Sequence, residues 1–134
     1  MRVRAIKIDM EQISQEIRVL LGVNQTFVTP SNEYDVHAIS VVDGMVEFQI
    51  VDDHGYIDWV PYVLFEVLDG TMTDDWVYNQ FSQLNEIDTM LIGPIFIVQD
   101  KESFVDMVER NPDQVQRFWE RIDSLSKRDD SDDA

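Results

Sequence analysis

A chain of 134 residues, 44% apolar, has enough hydrophobic material for one domain with a core and too little length for two comfortable ones. Without cysteine it can build neither disulfides nor thiol-based zinc or catalytic sites. Its formal charge of −17, from 27 acidic against 10 basic residues, argues against direct binding of nucleic acid, because phosphate contacts need clustered Lys and Arg.

The first ten residues, MRVRAIKIDM, carry basic residues with no uninterrupted apolar run behind them, so they do not read as a signal peptide. No stretch approaches the roughly 18 apolar residues of a membrane span, and a soluble, cytoplasmic protein is expected. Arg2 to Ile8 is β-like. Asp9 then caps a short helix, with Gln12 three residues on, Ile13, Ile17, Leu20 and Leu21 at helical spacing and Gly22 as its stop. Asn24 to Tyr34 reads as a connection centred on Pro30 and Ser31.

Asp43-Gly44, between two β-prone runs, is the strongest hairpin signal in the chain. A two-residue loop pairs Val42 with Met45, Val41 with Val46 and Ile39 with Phe48. Ile39, Val41, Val46, Phe48 and Ile50 then share an apolar face, with Ser40, Glu47 and Gln49 on the other. Carried through a four-residue loop, Asp52 to Gly55, this register pairs Val51 with Tyr56, Ile50 with Ile57 and Phe48 with Trp59. Ile57 and Trp59 would join the apolar face, and Asp58 the outer one. Pro61 marks a strand end or corner. Tyr62 to Val67 would bury Val63, Phe65 and Val67 and expose Tyr62 and Glu66, before a turn at Asp69-Gly70.

Thr73 to Glu86 is ambiguous. Thr73 suits a helix cap, and Val77, Phe81 and Leu84 keep helical spacing, but the same aromatic and β-branched residues suit a strand; the helix is favoured. Thr89 to Val98 reads as a buried strand broken at Gly93-Pro94. Asp100 caps a helix with Phe104, Met107 and Val108 on one face. Asn111 and Pro112 open another with an apolar stripe of Val115, Phe118, Trp119, Ile122 and Leu125. Residues 1–126 are expected to form a single domain, and 127–134 an acidic flexible tail. The fold expected is α+β: a small, strongly bent antiparallel sheet or open barrel packed against an N-terminal helix and two C-terminal helices.

Four residues of the second loop region, Asp52, Asp53, His54 and Asp58, offer oxygen and imidazole donors, but their spacing matches neither an EF-hand nor a zinc helix motif. Asp and Gly also serve β-turns, and the turn reading is preferred; neither metal nor cofactor is expected. His37, at the margin of the apolar face, reads as a packed core histidine. With two histidines, no cysteine and no serine elbow, no catalytic constellation can be assembled. The five glycines stand singly at turns, so no phosphate loop exists.

Charge distribution is more informative than its sum. From Val19 to Asp100 there is no Lys or Arg but there are fourteen Asp and Glu. Glu47, Asp52, Asp53, Asp58, Glu66, Asp69, Asp74 and Asp75 are therefore the candidate partner-binding carboxylates, with Tyr56, Tyr62 and Trp76 as aromatic anchors. The order of "EYDV" (Glu33 to Val36), the Asp-Gly hairpin and "GYIDWVPYVLFEVL" (Gly55 to Leu68) resembles the Src-homology-3-like small barrels over Asn32 to Leu68. The resemblance implies a peptide groove lined by aromatic and proline positions, although the paired tryptophans of the signalling domains are missing.

The function expected is that of a small acidic inhibitor that occupies a basic surface of another protein, such as a nuclease or other nucleic-acid-binding protein. Bacterial toxin immunity proteins and phage-encoded anti-defence proteins that mimic DNA charge are of this kind. A structural or assembly component, such as a phage protein, and a metal-dependent enzyme are the alternatives.

Overall fold

The computed structural model describes residues 1–23, 26–83 and 87–132. Its strands are β1 (Arg2–Ala5), β2 (Glu33–Asp35), β3 (Ala38–Val42), β4 (Met45–Val51), β5 (Ile57–Pro61), β6 (Phe65–Asp69), β7 (Trp76–Gln83) and β8 (Ile87–Pro94). The helices are α1 (Gln15–Val23), α2 (Ile95–Val98), α3 (Lys101–Val108) and α4 (Pro112–Asp132). The architecture is mixed α/β, with the described strands in two antiparallel sheets ordered β2-β1-β6 and β5-β4-β3-β8-β7. Among the described residues no helix is long and apolar enough to cross a membrane.

At the first hairpin Asp43 and Gly44 take φ of 51° and 78°, the double positive φ of a type I′ turn. β3 and β4 pair in the expected register, Val42 with Met45 and Ile39 with Phe48. The second hairpin departs by one residue. Val51 pairs with Ile57, Ile50 with Asp58 and Gln49 with Trp59, around a five-residue loop, 52–56. The one-residue slip puts Ile57 and Trp59 on the face of Glu47 and Gln49 instead of that of Phe48. It sets Asp58, expected beside Glu47 and Gln49, opposite Ile50 on the edge strand β5, from which it reaches the margin of a cleft against α3.

Both faces of the larger sheet are covered, which is why its alternation misleads. On one side Phe48, Ile50 and Val60 meet Val3, Ala5, Tyr34, Val36 and Phe65 from the smaller sheet and its margins. On the other Ala38, Ile57 and Leu91 meet Ile97 and Val98 of α2, Met107 of α3 and Phe118 of α4. Ser40 and Gln49, expected on an outer face, are thus 2% and 0% exposed beneath the helical layer.

The segment expected to be a helix from Thr73 is strand β7, paired with β8 from Trp76–Pro94 to Gln83–Ile87; its last expected residues, 84–86, lie outside the described residues. Thr73 donates its hydroxyl to Asp75 instead of capping a helix. Tertiary pairing along β8 outweighs local helical spacing in a run rich in aromatic and β-branched residues. β8 ends at Pro94, where the break was expected, but Ile95–Val98 beyond it is helix α2 instead of strand. Gly93 is required by close approach, since a Cβ there would stand 2.8 Å from the Ala38 Cβ. Val67, expected to be buried, is 54% exposed, because β6 is an edge strand of the smaller sheet and only Phe65 of it is buried.

The N-terminal helical signal splits into a 3-10 turn, Met10–Gln12, capped by Asp9, and α1, which passes through Gly22 to Val23. The Asp100 carboxylate caps α3 through the Ser103 N–H at 2.7 Å, and Asn111 accepts from Asp113 N–H at the start of α4. Buried Gln114 ties the helices together, donating to the carbonyls of Phe96 and Ser103 at 2.9 and 3.0 Å. Of the expected stripe on α4, Phe118 is buried while Trp119 is 41% exposed against it. α4 continues past Ser126 to Asp132, into the segment expected as a tail.

Gly93→Ala should lower the urea midpoint without changing the slope, at a cost of about 1–3 kcal/mol for forcing β3 and β8 apart. An unchanged midpoint would remove the close approach as a constraint.

Candidate functional site

The loop joining β4 and β5 is organised by one carboxylate. Asp52 Oδ1 accepts from the backbone N–H of His54 at 2.9 Å and of Tyr56 at 3.0 Å, while the Asp52 N–H donates to the Tyr56 carbonyl. Gly55 closes the loop at φ 80°. Asp53, next in sequence, is committed elsewhere: its carboxylate accepts from the hydroxyls of Thr29 and Tyr34, both at 2.6 Å. The loop tip carries an aromatic ladder. Phe27 meets His54 at 4.0 Å between centroids, His54 stacks on Tyr56 at 6.4 Å, and the Arg110 guanidinium lies 5.8 Å from the Tyr56 centroid.

Beside this ladder the larger sheet and α3 enclose a cleft of about 730 Å³. Ser40, Glu47, Ile57 and Trp59 line it from the sheet, Phe104, Met107 and Val108 from α3, and Asp52, Tyr56, Asp58 and Arg110 complete its polar wall. Trp59 meets Phe104 edge to face at 5.6 Å. Arg110 arrives from the left-handed residue that ends α3, φ 58°, where its N–H bonds the Met107 carbonyl.

Electrostatically the cleft is unbalanced. Burial, and then the neighbouring Asp58, push the Glu47 carboxyl up to about 7. Asp58 is raised by burial and then by Asp52, against a smaller pull from the Trp59 backbone N–H and Arg110. Neither Glu47 nor Asp58 forms an ion pair among the described residues. Two polar side chains here are also buried without a protein partner: the indole nitrogen of Trp59, and both the amide nitrogen and oxygen of its cross-strand neighbour Gln49. A buried polar group without a partner costs about 1–3 kcal/mol.

The eight candidate carboxylates divide among separate places. Glu47, Asp52 and Asp58 line the cleft, and Asp53 stands in the adjoining loop. Glu66 and Asp69 lie on β6, where Glu66 pairs with Arg4 at 3.2 Å and Asp69 accepts from the Thr71 N–H. Asp74 and Asp75 precede β7, and Asp75 takes a two-point contact from Arg121 at 2.6 and 2.9 Å that, ahead of its other hydrogen bonds, holds its pKa down near 2 against the effect of burial. Arg2 likewise reaches Glu33 and Asp35. The segment empty of cations in sequence is thus partly neutralised in space by arginines from its flanks, and among the described residues Arg110 is the one cation lining the cleft.

Of the aromatic candidates, Tyr56 and Tyr62 are 56% and 46% exposed, whereas Trp76 packs partly buried against the first core. His37 packs edge to face on Phe118 at 5.0 Å, and burial, then Arg121, lower it to about 4. No cluster of three metal-ligating side chains occurs among the described residues. Arg110, Trp59, Phe104 and Ser40 were not among the candidates. Arg110 sits in a helix-ending "ERNP" run that gives no hint of a site; Trp59 joins the cleft through the register of the second hairpin, while Ser40 reaches it from β3 and Phe104 from α3. No protein family, curated protein or solved structure matches this chain.

Glu47 makes the fold pH-sensitive. Its pKa is about 7 when folded against an ordinary 4.5, so between these values the folded state holds a proton that the unfolded state lacks, and stability rises as pH falls. His37 acts oppositely, since its folded pKa of about 4 lies below 6.5 and stability is lost as pH falls between them. Glu47→Gln should therefore stabilise the protein at pH 8 by about 1–2 kcal/mol, allowing for screening by solvent at this partly exposed site, and add little at pH 4.5. Urea unfolding at the two pH values measures this, and equal effects at both would contradict a charged, destabilising Glu47.

Proposed function

We propose that this protein is a cytoplasmic binding protein that occupies a basic surface of another protein, as toxin immunity proteins and inhibitors of nucleic-acid-binding enzymes do. One observation carries the reading: among the described residues Glu47 and Asp58 share a half-buried cleft lined by a single basic residue, Arg110, and form no ion pair, whereas Glu33, Asp35, Glu66 and Asp75 are paired with arginines. Half-buried carboxylates that outnumber their counter-charge are poised to gain from a partner that supplies another. Tyr56, on the cleft wall, and Tyr62, next to the Pro61 that pairs with Glu47, add exposed aromatic surface of the kind that anchors interfaces. With a charge of −17, such a protein would associate fast at low salt and compete with nucleic acid for the same basic surface.

The scaffold belongs to the same proposal. We read strands β1 to β6 as a small, strongly bent barrel of the kind the Src-homology-3-like resemblance implies. Only Val36 and His37 separate β2 in one sheet from β3 in the other, and a 3-10 turn, Tyr62–Leu64, carries the chain from β5 back to β6 beside β1.

Soluble proteins of the source cell passed over the immobilised chain should leave a basic protein bound at low salt. It should be released as ionic strength passes about 0.15 M, where exposed charges are screened within about 8 Å. Glu47→Gln with Asp58→Asn should weaken retention, and Glu120→Gln on α4 should not. Retention of nothing basic, or retention indifferent to salt, would overturn the proposal.

A further inference from the structure

We propose that the cleft between β3–β5 and α3 is a receptor for a single arginine side chain presented by the partner protein. This rests on the reading of the protein as a binder of basic surfaces and names the chemistry of the contact.

Geometry favours a guanidinium. Aromatic rings line the cleft, Trp59 and Phe104 set edge to face and Tyr56 beside them. Planar cations stack on such rings, and Arg does so while still donating in pairs to carboxylates. The protein supplies its own example, since Arg110 already lies over Tyr56. The acceptors are Glu47 and Asp58, half-buried carboxylates whose pKa values are raised by burial and then by a neighbouring carboxylate, and which a guanidinium would stabilise in their charged form. A volume of about 730 Å³ accommodates the side chain together with some of the backbone that bears it.

Hydrogen bonding points to the same ligand. The Trp59 indole N–H, on the cleft wall, has no protein acceptor. A peptide carbonyl beside the entering arginine supplies one, which a free inorganic cation would not.

All charged groups lining the cleft have a stated part: Glu47 from β4, Asp58 from β5, Asp52 from the loop and Arg110 from the end of α3. The Asp52 carboxylate is already engaged with two backbone N–H groups. Arg110 is the intrinsic competitor, so its removal should open the site. An anion-binding cleft would respond in the opposite sense.

The test is an NMR titration of the full chain at pH 8 with N-acetyl-arginine methylamide, following the Trp59 indole N–H, with the lysine and citrulline analogues as comparisons. Saturable shifts with the arginine amide, weaker ones with lysine and none with citrulline are expected. Affinity should fall about five- to tenfold in Glu47→Gln or, on the edge strand, Asp58→Asn, and rise about two- to fivefold in Arg110→Gln. No saturable shift, equal binding of citrulline, or weaker binding by Arg110→Gln would overturn the proposal. Because the ligand is free arginine amide, failure here together with salt-sensitive capture of a basic protein would leave the binding reading standing and place its contact elsewhere.

Discussion

The hydrogen bonds from the backbone N–H groups of His54 and Tyr56 to Asp52 are the constraint on which the site depends. With both donors satisfied by one side chain, the loop closes at five residues and Val51 pairs with Ile57. That register turns Trp59 toward α3, beside Glu47 and Gln49, and leaves Tyr56 at the loop end where Arg110 meets it. A loop one residue shorter would carry Trp59 into the other core and dissolve the aromatic wall of the cleft.

Much of the fold was legible because local signals were unambiguous. Asp-Gly between alternating runs has essentially one solution, and Asp100 and Asn111-Pro112 mark helix starts by mechanism. Reading failed where two solutions bury comparable apolar surface. In β4 and β5 both faces meet a core, so Phe48 with Val60 and Gln49 with Trp59 satisfy burial as well as the expected pairing did, and a side-chain hydrogen bond decides between them. At Thr73 to Gln83 helical spacing and β-propensity coexist, and the partner strand β8 settled the matter.

The candidate site was legible only in part. Glu47, Asp52, Asp58 and Tyr56 came from charge and register, but their convergence with Arg110 and Phe104 is a property of long-range packing. The run without cations from Val19 to Asp100 suggested one continuous acidic face. Folding instead brings Arg2, Arg4 and Arg121 onto parts of it and gathers Glu47, Asp52 and Asp58 with the single cation Arg110 in one unbalanced cleft.

The proposed function turns on whether that imbalance exists and whether a cation relieves it. The most direct measurement is the carboxyl ¹³C titration of Glu47, free and with saturating arginine amide. A free midpoint near 7 that moves down when arginine is bound is the result expected. A free midpoint at the ordinary 4.5, or one that arginine leaves in place, would contradict it.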